Sequence, residues 1–128
     1  GITKVVDESG SETQAAQTEL VIDQQQTLFL PINLGQIFPK LNRLSVISSG
    51  LFAIDDKTFD MKHLTALNLT GNKLMEIAAD TFANLINLKE LDLSHNNIEM
   101  IDTDAFKANL NLELLRLDHN QLTAINSG

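Results

Sequence analysis

The chain has 128 residues, enough for one domain, and its apolar content of 43% with only 5% aromatics and no Trp or Tyr makes the core one of Leu and Ile. With 9 basic and 17 acidic residues the formal charge is −8, which repels polyanions and argues against nucleic acid or an acidic membrane surface as partner. The absence of Cys excludes disulfides, thiolate metal ligands and thiol nucleophiles, and with no run of 18 apolar residues nothing is expected to insert into a membrane.

Residues 1–17 read as a polar N-terminal segment, partly flexible, with DESGSETQAAQ at 7–17 as a loop or tail. Residues 1–19 carry no signal peptide pattern, and a start at Gly1 without Met reads as a processed or shortened chain. Residues 18–40 read as an N-terminal strand cap rather than a repeat. Thr18–Ile22 (TELVI) and Thr27–Ile32 (TLFLPI) are two short apolar runs separated by Asp23-Gln24-Gln25-Gln26, with Pro31 at an edge or strand end. Such a strand pair would cover the first layer of a stack that begins at residue 41.

From residue 41 the chain repeats itself. Leu64, Leu88 and Leu112 stand 24 residues apart, as do Leu67, Leu91 and Leu115, and Leu69, Leu93 and Leu117. Asn72, Asn96 and Asn120 follow, then Leu74, Ile98 and Leu122, then Ile77, Ile101 and Ile125, with Phe82 and Phe106 at the same interval. Residues 41–63 fit with Val46 in a leucine column, Ser49 in the asparagine column and one residue missing after Phe59. In LxxLxL the alternating leucines point inward from a short strand while the residues between them meet solvent. The amide of each Asn can donate and accept, and so can satisfy backbone groups between turns. The Phe fills the convex side. There Asn109 occupies the column of Leu85, and Leu110 beside it is expected to rotate inward.

The pattern LxxLxLxxNxLxxIxxxxFxxLxx over residues 41–125 resembles the 24-residue class of leucine-rich repeat. The resemblance implies an α/β repeat solenoid, a horseshoe fragment with a parallel concave β-sheet and a mostly irregular convex side. Residues 41–128 would hold about four repeats, the last incomplete and uncapped, so that Leu115, Leu117, Leu122 and Ile125 would expose apolar surface. The stretch LPINLGQIFPKLNRLSV at 30–46 resembles the lead-in to the repeats of secreted insect leucine-rich-repeat proteins. That likeness implies an extracellular or secreted protein.

The family's usual binding surface is the concave face. By strand alternation its outward residues here are Arg43, Ser45 and Ile47, then Ala66, Asn68 and Thr70, then Glu90, Asp92 and Ser94, then Leu114, Arg116 and Asp118. Only Arg43 and Arg116 belong to the residue types that anchor strong interfaces. Asn68-Leu69-Thr70 is a glycosylation sequon, and a glycan there would stand in the middle of the sheet. His95 and His119 share a column one repeat apart, but Gly71 and Ser48 fill the same column, which supplies no third ligand. They read as exposed turn histidines, and no metal or cofactor is expected. Asp80 and Asp104 each stand two residues before a Phe and read as caps of short turns. Neither DDKTF nor DTDAF has the alternating ligands of a calcium loop. Ser94 and His95 are neighbours sent to different sides, so no catalytic residue is assigned and no enzyme is expected.

The function implied by the resemblance is protein–protein recognition or scaffolding through the concave face. The alternative is a structural, self-assembling role, with a homo-oligomer formed through the C-terminal end or a sheet edge.

Overall fold

The computed structural model describes residues 16–27, 29–31 and 34–126, so most of the polar N-terminal segment lies outside the described residues. In each leucine-bearing segment the alternation sends two apolar side chains to one face of an extended chain, and these faces stack. The elements are β1 (Glu19–Asp23), a one-turn helix α1 (Leu34–Ile37), β2 (Arg43–Ile47), β3 (Ala66–Asn68), β4 (Glu76–Ile77), β5 (Glu90–Asp92), β6 (Met100–Asp102), β7 (Leu114–Arg116) and β8 (Ala124–Asn126). One parallel sheet runs β1-β2-β3-β5-β7. Its pairings Glu19↔Arg43, Arg43↔Ala66, Ala66↔Glu90 and Glu90↔Leu114 each advance the chain by one repeat. The step from Arg43 to Ala66 is one residue shorter than the others, as the missing residue in 41–63 requires.

Between the strands and the returning chain the core is built in columns. Leu44, Leu67 and Leu91 are buried one above another, followed by Val46, Leu69 and Leu93 and by Leu51, Leu74 and Ile98. Each such side chain contributes about 1.5–3 kcal/mol on burial, but only because a neighbouring layer covers it. Phe59 and Phe82 are fully buried, with ring centroids 5.7 Å apart, and Phe106 stacks 6.2 Å beyond Phe82. A second parallel sheet, β4-β6-β8, lies on the returning side and adds short regular ladders to a mostly irregular surface.

Asparagine side chains stitch the layers. Asn72 Oδ1 accepts from the Ser49 and Leu51 N–H groups, both at 3.1 Å, while its Nδ2 donates to Val46 O and Leu69 O. Asn96 and Asn120 repeat this one and two layers on, accepting from Leu74 N and Ile98 N respectively. Ser49 stands in for Asn with a shorter reach, its Oγ accepting from Gln25 N at 3.2 Å.

Three details differ from the expectations. Residues 18–40 do not form a strand pair among the described positions: β1 joins the concave sheet parallel to β2, while Thr27 and 29–31 are not strand. The segment is the first coil of the stack, because Leu20 and Ile22 stand 24 residues before Leu44 and Val46 and are buried with them. Asn109, not Leu110, enters the core: Leu110 is 88% exposed, whereas Asn109 Nδ2 donates to Phe82 O and Leu85 O. Two carbonyls of the preceding coil need a donor there, and a leucine offers none. The turn caps are Asp55, whose Oδ1 accepts from Lys57 N and Thr58 N, and Asp102, which accepts from Asp104 N. At Asp80 and Asp104 it is the backbone carbonyl that closes the turn, onto Ala83 N and Lys107 N.

Candidate partner-binding face

The outward positions of the concave strands line up in rows because the register is parallel. Glu19, Arg43, Ala66, Glu90 and Leu114 form the first row, and Val21, Ser45, Asn68, Asp92 and Arg116 the second. Asp23 beside Ile47 begins a third, which continues past the strand ends through Thr70, Ser94 and Asp118, linked by Ser48 N to Thr70 O, Gly71 N to Ser94 O and His95 N to Asp118 O.

The face is organised by charge. Arg43 reaches across the small, buried Ala66 to Glu90, with Nη2 3.8 Å from Oε2. Arg116 donates twice to Asp118, Nε to Oδ1 at 3.2 Å and Nη2 to Oδ2 at 3.0 Å, and its Nη1 lies 3.9 Å from Asp92. These hydrogen bonds hold the Asp118 carboxyl below the usual carboxylate range and raise the Arg116 guanidinium further. Arg43, Asn68, Glu90, Asp92, Leu114 and Arg116 border a shallow open cleft of about 220 Å³. Leu114 is half exposed at its edge.

The strand ends are shaped by side chains turned back onto the backbone. Asn68 Oδ1 accepts from Thr70 N at 3.0 Å, and Asp92 Oδ1 does the same for Ser94 N at 2.9 Å. Thr70 Oγ1 donates to Ser94 O, so the half-buried Asn68 and Thr70 are held in place. One residue on, the chain needs a left-handed turn in every layer: φ is +54° at Gln24, +49° at Ser48, +74° at Gly71, +55° at His95 and +57° at His119. Gly71 has a steric reason as well, since a Cβ there would come within 2.6 Å of Ser48 Oγ. His95 and His119 stack with ring centroids 4.2 Å apart. Ser94 is buried with its Oγ bonded to Asp92 and Thr70 while His95 is exposed, so the two do not form a nucleophile and base.

The structure brings the outward residues read from 41–128 onto one side of the sheet, except that Ala66 and Ser94 are buried there, and adds three that strand alternation from residue 41 does not reach, Glu19, Val21 and Asp23 of β1. Their signal was the 24-residue offset of Leu20 and Ile22 from Leu44 and Val46. With them the described face carries Glu19, Asp23, Glu90, Asp92 and Asp118 against Arg43 and Arg116, and its charge is net acidic rather than balanced. Among the described residues no helix is long and apolar enough to cross a membrane.

The leucine rich repeat family matches residues 39–98 and 86–128. The chain belongs to that family.

This leucine-rich repeat chain is 37% identical to a chain in the structure of the Toll–Spatzle complex, described as a molecular hub in Drosophila development and innate immunity. That match covers 71% of this chain and 12% of the other, at a TM-score of 0.67. The leucine-rich repeat domain of APL1B is 26% identical, with a TM-score of 0.79 over 84% of this chain and 32% of that one. A chain in the TLR13–ssRNA13 complex is 25% identical over 83% of this chain and 15% of its own length, with a TM-score of 0.76. The chain thus spans a third or less of each of these proteins. No curated protein sequence matches it.

Proposed function

We propose that the concave sheet is a protein-recognition surface for a partner that presents basic side chains, working outside the cell and without catalysis. The observation that carries this reading is the set of charged residues spread over three in-register rows, five carboxylates and two guanidiniums among the described positions, on a rigid parallel sheet. Complementary charge of that kind speeds encounter and fixes orientation. A partner docking there would also bury Leu114 and engage Arg43 and Arg116, the residue type that recurs at binding hot spots. Support comes from the Toll–Spatzle complex, in which a similar chain is found with a protein partner. The ssRNA complex of another similar chain sets the contrast, because a phosphate backbone would meet a net acidic face here. A glycan on Asn68 would stand on the central strand β3 and exclude the partner.

The test is to challenge Asp92→Arg and Leu114→Arg, and the convex control Lys107→Glu, with a secreted-protein library displayed on cells. Binders selected on the parent chain should be lost with the two concave variants and kept with Lys107→Glu. Loss only with Lys107→Glu would move the interface to the other side.

A second reading, self-association, is favoured by apolar side chains at the β1 edge, where Val21 is 54% and Phe29 65% exposed. Light scattering at several concentrations distinguishes it, since a species above the 14.1 kDa monomer that is lost in Phe29→Ser would put that edge in the interface.

A further inference from the structure

We infer that His95, His119 and Asp118 form a binding site for a divalent transition metal of the zinc or copper type. Each offers one ligand atom, and the three atoms lie within 4.8 Å of one another. Two nitrogens and a carboxylate oxygen suit these metals, and three protein ligands leave a fourth, open position for water or a partner's side chain.

The repeat builds the site. His95 and His119 occupy the left-handed turn position one layer apart, and the parallel register sets their imidazoles face to face with an interplanar angle of 12°. Because the stacked rings are nearly parallel, one ion cannot lie in both ring planes as they stand, and the two exposed imidazoles must turn towards each other to share it. The histidines' own column, filled in the earlier layers by Gly71 and Ser48, supplies no third ligand. Asp118 comes from the adjacent column. Its Oδ2 lies 3.9 Å from His119 Nε2, near enough for both to reach one centre.

Zn–N bonds of about 2.0–2.1 Å in a tetrahedral site place ligand atoms roughly 3.3 Å apart, so the three must close on the ion from separations of up to 4.8 Å. All three side chains are exposed and can rotate to do so. Asp118 already has its orienting partner. Arg116 takes one lone pair on each carboxylate oxygen and leaves others for the metal, the arrangement by which outer residues fix a ligand.

The experiment is calorimetric titration of the 128-residue chain with zinc chloride, with His95→Asn and His119→Asn chosen because Asn tolerates the left-handed backbone. The parent should bind one ion per chain. Each His variant should weaken binding by roughly 100-fold or more, beyond what outer-shell changes cost, and Asp118→Asn should weaken it as well. His63→Ala should bind like the parent. In the unsubstituted chain the same titration followed by NMR should move the imidazole resonances of His95 and His119 and leave those of His63. Absence of saturable binding, or affinity unchanged in His95→Asn and His119→Asn, would overturn the site.

Discussion

A single asparagine column shows how side-chain reach becomes stability. Asn72 supplies the acceptor for two otherwise unbonded N–H groups, Ser49 and Leu51, whereas Asn96 does so for one, Leu74. The carbonyls of Leu69 and Leu93 accept from two amides each, so losing one donor leaves the other. A buried donor stripped of its partner costs about 1–3 kcal/mol. Asn72→Ala should therefore lose about 3–5 kcal/mol and Asn96→Ala about 2. Asn120→Ala, at a half-buried position, should lose least. Urea denaturation of the three variants checks the ranking, and equal losses would contradict it. At the exposed turn around Asp55 the effect is one of pH. Backbone hydrogen bonding from Thr58 lowers its carboxyl below the ordinary value of 3.8 in the folded chain. The stability it adds is thus complete above pH 3.8 and is lost as the pH falls through the lower folded value. The urea midpoint of Asp55→Ala should trail the parent at neutral pH and converge with it in acid. A gap that widened in acid would reverse the assignment.

At the scale of the coil, the phenylalanine column does for the convex side what the leucines do for the sheet. Phe82 is sandwiched between Phe59 and Phe106, while Phe106 is only half buried. Phe82→Ala should cost about 3–5 kcal/mol and Phe106→Ala clearly less, read from thermal midpoints of the two variants. The coils from residue 41 onward were legible in the sequence because Leu, Asn, Ile and Phe recur in phase. The first coil was not, although its strand sits in the same sheet. Gln17 takes the place of the leading leucine, Gln25 that of the asparagine and Thr27 that of the next leucine, so only Leu20, Ile22 and Leu30, the last in the column of Ile54 and Ile77, keep the rhythm. Phe38 is buried in the column of Met61 and Leu85 rather than in the phenylalanine column, which disguises the phase further. The concave residues were readable by simple alternation for the same reason that the core was. Asp118's place beside two histidines was not, because it depends on neighbours in two columns at once. Leu110 and Asn109 were exchanged because hydrophobicity is visible in a sequence and an unfilled carbonyl is not.

For the molecule as a whole, each layer touches only the layers beside it, so stability rises from the edges to the middle. Leu67 and Leu91 are buried while Leu115 and Leu117 are partly exposed, and backbone amides of β3 and β5 should exchange more slowly than those of β7. Core and recognition face are separated by one geometrical rule, the alternation of side chains along strands such as β5. Thermal unfolding of Leu91→Asp beside Glu90→Leu tests it most directly. An unpaired charge at Leu91 is expected to abolish the cooperative transition, since its cost is comparable with the ~5–15 kcal/mol that holds such a domain together. Glu90→Leu gives up an exposed ion pair worth at most ~1 kcal/mol and should melt within a few degrees of the parent. A Leu91→Asp chain that kept its melting temperature, or a Glu90→Leu chain that lost its own, would place the wrong face in the core and take the proposed binding surface with it.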